Sequence, residues 1–191
     1  MKIQKCLFLG YDKKKTSLIS FLRSKKIIVS IYKNRVLNYK IAKKFDFIIS
    51  FGYRKIISKD LILKIKRPII NLHISYLPYN RGAHSNFWSF IKNTPKGVTI
   101  HEINTGIDTG KIISRKKIQF KINKQTTFKL TYEILIKEVE KLFKRHYKSI
   151  ISGNYTAKKQ SFKTKLNFKK DLPKISSWNI SINDFISTYK S

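Results

Sequence analysis

Four short apolar runs constrain this chain more than any other feature. They are Ile3 to Leu9, Ile27 to Ile31, Phe45 to Phe51 and Ile69 to His73. Each is nearly continuous in β-branched, aromatic or leucine residues, the pattern of a strand covered on both faces rather than on one. Ser17 to Arg23 and Ser58 to Leu63 read as short helices between them. Strands alternating with helices imply crossover connections and a parallel sheet. The expected fold is therefore α/β: a Rossmann-like, mostly parallel sheet with helices on both faces. The chain then changes character. GVTIHEI, 97 to 103, alternates, and Lys111 to Ile118 reads as a further strand. Between Phe128 and Ile150 apolar residues recur at spacings of three and four, one long amphipathic helix closed near Gly153. We expect one domain over residues 1–153 and a polar, Lys-rich tail over 154–191, with a short helix after Ser181.

Composition narrows the class. At 41% hydrophobic residues the chain is not compositionally disordered. No apolar run reaches the length of a transmembrane helix, and MKIQKCLFLGYDKKK lacks the form of a signal peptide, so the expected compartment is the cytoplasm and no membrane partner is expected. Cys6 is the single cysteine, which excludes an internal disulfide and a cysteine zinc site. The net charge of +32 suggests nucleic acid at first sight. However, 31 Ile and 12 Asn against 3 Ala point to codon bias, and the basic residues are spread along the whole chain. We read the charge as genome bias that still attracts anionic small molecules, with nucleic acid not the expected partner.

The polar residues fall at informative places. In open α/β sheets, ligands bind outside the carboxyl ends of the strands. Asn71 and His73 stand at such an end, and residues two apart in a strand face the same side. Taken alone, the pair fits a turn cap and a satisfied core histidine as well as it fits a site. Asp108 lies in Gly106-Ile-Asp-Thr-Gly110, where the glycines allow a tight loop. A carboxylate there favours the protonated form of a nearby imidazole, although an ordinary Asp turn has the same spelling.

The combined pattern is more specific. Asn71-x-His73-x-Ser75-x-Leu77-Pro78, then Arg81-Gly82, then Gly97-Val98-Thr99-Ile100, then Asp108-Thr109-Gly110 resembles the 10-formyltetrahydrofolate-dependent formyltransferases. FDFIISFGYRKII and LPYNRGAHSNFW look most like the branch that acts on nucleotide-linked sugars. The resemblance implies formyl transfer from 10-formyltetrahydrofolate to a primary amine. It implies Asn71, His73 and Asp108 as the catalytic set. Gly52, Tyr53, Ile107, Thr109 and Gly110 would hold the folate, and Tyr79, Asn80, Arg81 and Asn86 would face the acceptor. No metal is called for. Phe87 and Trp88 are expected to be helix core, and His84 and His101 to be structural. Ser85 and Lys111 depart from the family's usual residues without removing a catalytic group.

Three acceptors compete. Methionyl-tRNA formyltransferases carry a further basic barrel, for which too few residues follow Gly153. Glycinamide ribonucleotide formyltransferases hold a phosphate with a glycine-rich turn after the first strand, where this chain reads LGYDKKKTS. An anionic amino sugar on a nucleotide is the expected small-molecule acceptor, with glycinamide ribonucleotide or methionyl-tRNA as the alternative. A reading from another class is a non-catalytic nucleic-acid-binding module. A homodimer is compatible with all of these.

Overall fold

The structure, a computed structural model, describes residues 3–162 and 164–190. Met1, Lys2, Lys163 and Ser191, which fall within the expected domain and tail, lie outside the described residues. The strands are β1 (Lys5–Gly10), β2 (Ile28–Tyr32), β3 (Phe47–Phe51), β4 (Ile70–His73), β5 (Gly97–Glu102) and β6 (Ile112–Lys117). The helices are α1 (Leu18–Ser24), α2 (Tyr39–Ala42), α3 (Lys59–Lys64), α4 (Ser85–Ile91), α5 (Phe128–Ser152) and α6 (Ile182–Lys190). The sheet order is β2-β1-β3-β4-β5-β6. The first four strands run parallel, and β5 pairs antiparallel with both β4 and β6. A short loop joins β5 to β6, and a connection that short can only return antiparallel.

β1 and β3 bury both faces, as expected, whereas β2, at the sheet edge, leaves Ile28 and Ile31 exposed. Cys6 and Phe8 of β1 pack on one side with Leu18 and Leu22 of α1 and with Leu135, Val139 and Phe143 of α5. Leu7 and Leu9 pack on the other with Leu37, Ala42 of α2 and Leu61 of α3. Each fully buried Leu or Phe contributes about 1.5–3 kcal/mol before conformational entropy is subtracted. Helix α5 starts at Thr127, whose side chain accepts from the Leu130 N–H, and stops at Gly153, whose φ of 80° closes it in the left-handed region.

A third cluster involves the segment expected to be a polar tail. Ile182 and Phe185 of α6 are buried against Phe87, Trp88 and Phe90 of α4 and against Phe128. The chain also returns to the domain at isolated pairings between Ile112 and Lys158, Gly82 and Asn167, and Thr127 and Ser181. Among the described residues no helix is long and apolar enough to cross a membrane.

Candidate active site

Strand β4 ends where the parallel part of the sheet meets the antiparallel part. Its Ile70 and Leu72 face the α1/α5 core, which turns Asn71 and His73 to the opposite side. In the antiparallel register Asn71 is paired with His101 and His73 with Thr99. Directly opposed residues share a face, so β5 brings a second imidazole to the site. The Asn71 Nδ2 lies 3.1 Å from His101 Nε2, and the rings of His73 and His101 meet edge to face at 5.9 Å.

His101 is almost wholly buried, at 1% exposure, and its Nδ1 lies 2.8 Å from the carbonyl of Glu102. That carbonyl can only accept, so Nδ1 carries the proton and Nε2 is left to accept from the Asn71 amide. Burial holds the His101 pKa down to about 4 despite the nearby Asp108 carboxylate. The ring is therefore neutral at pH 7. Its 3.7 Å approach to Asp108 Oδ1 is not an ion pair.

Asp108 sits in the left-handed region at φ 51°, a conformation that Asp adopts more readily than most residues. Its Oδ2 accepts from the Gly82 N–H at 2.8 Å and lies 3.8 Å from His73 Nε2. Burial alone would raise its pKa. The charge of His73, the Gly82 N–H and the Arg81 guanidinium outweigh that and hold the carboxyl below its usual range. His73 Nε2 is buried and has no hydrogen-bond partner in the protein. A buried imidazole nitrogen left open beside a carboxylate is what a site that must bond an incoming group requires.

His73, His101 and Asp108 place their ligand-type atoms within 4.8 Å of one another. Such a spacing suits a metal ion, but His101 is not free to join one, because its Nε2 lone pair is already engaged. His101 Nε2 accepts from Asn71, and Asp108 Oδ2 accepts from Gly82. His73 Nε2 faces the Asp108 carboxylate across 3.8 Å with no hydrogen bond between them.

The remaining expected residues divide. Gly52, at the carboxyl end of β3, has φ 70°, and a Cβ there would stand 2.3 Å from the Tyr11 ring. Ile107 is half-exposed beside Asp108. Thr109 Oγ1 donates to Asn104 Oδ1 at 2.7 Å and closes the loop. Gly110 passes so near β5 that a Cβ would lie 1.7 Å from the Glu102 carbonyl. The Tyr53 side chain is drawn elsewhere: its hydroxyl donates to Arg35 O and accepts from the Leu37 N–H. On the acceptor side, Tyr79 meets Phe162 edge to face at 5.3 Å. The Arg81 guanidinium bonds the carbonyl of Thr164 and approaches that of Ile107. Asn80 and Asn86, expected to face the acceptor, are buried. Asn80 donates to Thr94 Oγ1, and Asn86 ties α4 to Phe128 O and Thr131 Oγ1 of α5.

Sequence reasoning passed over two residues that bond Asn71 and Asp108. His101 was read as structural without a partner. The alternation of GVTIHEI put it on the same face as Thr99, opposite the core residues Val98 and Ile100, but only strand pairing reveals Asn71 across from it. Gln160 donates to the carbonyls of Asp108 and Gly110. It carries no local signal in the sequence. His84, also read as structural, stacks on Trp178 at 5.5 Å.

A pH dependence follows from His101. Its folded-state pKa is about 4, against an ordinary histidine value near 6.5. Between these values the unfolded chain binds the extra proton and the folded chain does not, so stability rises with pH across the window. About 3 kcal/mol should be lost from pH 7 to pH 4. Thermal unfolding of His101→Gln should have a shallower slope in that window than the wild type. Equal slopes would place the titration on other groups.

Comparison with known proteins agrees with this geometry. Residues 16–145 match the family described as formyl transferase. The formyltransferase PseJ from Anoxybacillus kamchatkensis, solved in complex with UDP-4,6-dideoxy-4-formamido-L-AltNAc and tetrahydrofolate, superposes with a TM-score of 0.85 at 38% identity, covering 95% of this chain and 97% of that one. A dTDP-4-amino-4,6-dideoxyglucose formyltransferase of Mycobacterium bovis is 31% identical over 136 residues, 71% of this chain and 56% of its own length. A methionyl-tRNA formyltransferase of Clostridium perfringens is 32% identical over 145 residues, 73% of this chain and 45% of its own length. The chain thus spans about half the length of these curated relatives.

Proposed function

The chain belongs to the formyl transferase family, and we propose that it transfers the formyl group of 10-formyltetrahydrofolate to the amine of an amino sugar carried on a nucleotide. The observation that carries this reading is the open, buried His73 Nε2, set between Asn71 and Asp108 at the carboxyl end of β4. The cleft residues fit a folate. Gly52 makes room for the Tyr11 ring at the end of β3, and the half-exposed Ile107 offers an apolar contact beside Asp108.

The folate supplies an activated formyl carbon. When an amine adds to that carbon, negative charge grows on the formyl oxygen. The Asn71 amide has two N–H groups, and His101 takes one of them. The other is free to donate to the growing oxyanion, as is His73 when protonated. Donors held in place before reaction cost no reorganisation in the transition state. Asp108, held below the usual carboxylate range, keeps a negative charge 3.8 Å from His73 Nε2. The amine proton would leave through a water beside Asp108 and reach N10 of the folate as the formyl C–N10 bond breaks, so that tetrahydrofolate departs neutral. Every group this scheme uses comes from one chain, and we place the reaction in the cytoplasm.

The nucleotide-sugar acceptor is supported by the likeness to PseJ over nearly the whole of both chains, and by the basic surface. A second observation weighs against glycinamide ribonucleotide. The turn after β1, where phosphate-binding relatives carry glycines, is already occupied by the chain's own anion. The Glu140 carboxylate accepts from Thr16 Oγ1 at 2.6 Å, from the Ser17 N–H at 3.0 Å and from Ser17 Oγ at 2.6 Å.

The test is incubation with 10-formyltetrahydrofolate and a panel of amino-sugar nucleotides, glycinamide ribonucleotide and methionyl-tRNA, read by mass spectrometry. A formylated amino-sugar nucleotide is the expected product. Turnover of glycinamide ribonucleotide alone would overturn the acceptor. Steeply salt-dependent RNA binding without any transfer would favour a nucleic-acid-binding module.

A further inference from the structure

We propose that Gln160 is a positioning residue for formyl transfer, holding the Asp108 loop through the two peptide carbonyls on either side of Thr109. Its Nε2 lies 2.8 Å from the Asp108 carbonyl and 2.9 Å from the Gly110 carbonyl. A primary amide has two N–H groups on that nitrogen, so both bonds form at once.

The register explains why a side chain does this. Ile112 and Lys158 exchange two backbone hydrogen bonds, of 2.8 and 2.9 Å. Two residues further along an antiparallel ladder, Gly110 and Gln160 would be opposed. The backbone pairing ends at Ile112 and Lys158, and the chain then turns at Asp108 through φ 51°. The Gln160 amide takes over where backbone pairing stops.

The same segment continues across the loop after β4. Thr164 Oγ1 donates to the Pro78 carbonyl, and Asn167 exchanges backbone bonds with Arg81 and Ala83 on either side of Gly82. The Gly82 N–H in turn bonds the Asp108 carboxylate. Residue 108 is thus held at its peptide carbonyl by Gln160, and at its carboxylate by a loop that residues 164–167 brace. Such a device sets where the carboxylate stands relative to His73 without itself touching a substrate.

The inference rests on the formyl-transfer reading, and its test separates the two. Three variants are made: Gln160→Ala, Gln160→Met, which keeps the length without the donors, and Gln160→Glu. In Ala and Met, kcat should fall about 10-fold or more, since a displacement of roughly 1 Å at a reacting group costs up to ~100-fold. KM for folate and acceptor should stay within about threefold, because positioning acts mainly in the transition state. Amide hydrogen exchange should quicken over 104–110 and not over β4. Gln160→Glu should be impaired at pH 8, where a carboxylate faces two carbonyls. It should recover relative to wild type towards pH 5, where the protonated acid regains a donor, while the Met variant stays flat. Wild-type kcat in Gln160→Met, or unchanged exchange over 104–110, would overturn the proposal. If the wild-type protein formylates no acceptor, the functional reading fails, while the exchange measurement still judges the clamp.

Discussion

His73→Ala is expected to lower kcat by about 10²–10³-fold, the cost of losing one preorganised donor to a growing oxyanion, with a much smaller change in either KM. The protein should remain folded. His73 Nε2 has no partner in the protein, so its removal leaves no buried group newly unsatisfied at that atom. The side chain lies at the end of β4, away from the residues that join β4 to the α1/α5 core. Steady-state kinetics with circular dichroism as a folding control decide the matter. Wild-type turnover in well-folded His73→Ala would make this histidine structural.

Asp108→Asn is expected to cost about 10²-fold in kcat for a different reason. The side-chain oxygen that accepts from the Gly82 N–H is preserved, so the loop keeps its shape. What disappears is the negative charge 3.8 Å from His73 Nε2. In a buried setting a charge at that distance is weakly screened. Loss of the charge should therefore fall on turnover, with folate affinity measured by fluorescence titration changing less than tenfold. A large loss of folate affinity with normal turnover at saturation would move Asp108 from catalysis to binding.

The fold was legible because burial on both faces imposes a strong local pattern. FDFIISF was read as a strand from 45 to 51 and forms one from 47 to 51; the amphipathic spacing from Phe128 predicts a helix that runs to Ser152. Helix α2, four residues long, was not read, and α4, SNFWSFI, was anticipated only in Phe87 and Trp88 as helix core, since it has little intrinsic helical preference. Its helicity comes from packing Phe87, Trp88 and Phe90 against Phe128 and α6. The same long-range packing explains the site. Asn71, His73 and Asp108 were visible as a spaced pattern in a family resemblance. Asn80 and Asn86 looked equally polar in the sequence, but both are buried and bonded to Thr94 and to α5. His101 and Gln160 are found only through strand register, which connects residues distant in the chain and leaves no local trace.

The clamp on Asp108 ties the competence of the enzyme to its own synthesis. A ribosome releases the chain from the N-terminus, so the parallel strands, Asn71 and His73 are all available for pairing before Gln160 has been made. At that stage Asp108 sits in a loop with one of its two restraints missing. A nascent chain of this kind presents Asn71 and His73 before the Asp108 loop has gained its bonds from Gln160. The same holds for a chain nicked by a protease between Gly153 and Gln160. On the proposed reading, activity is a late-acquired property of the polypeptide, gained when a distant segment returns to close the loop.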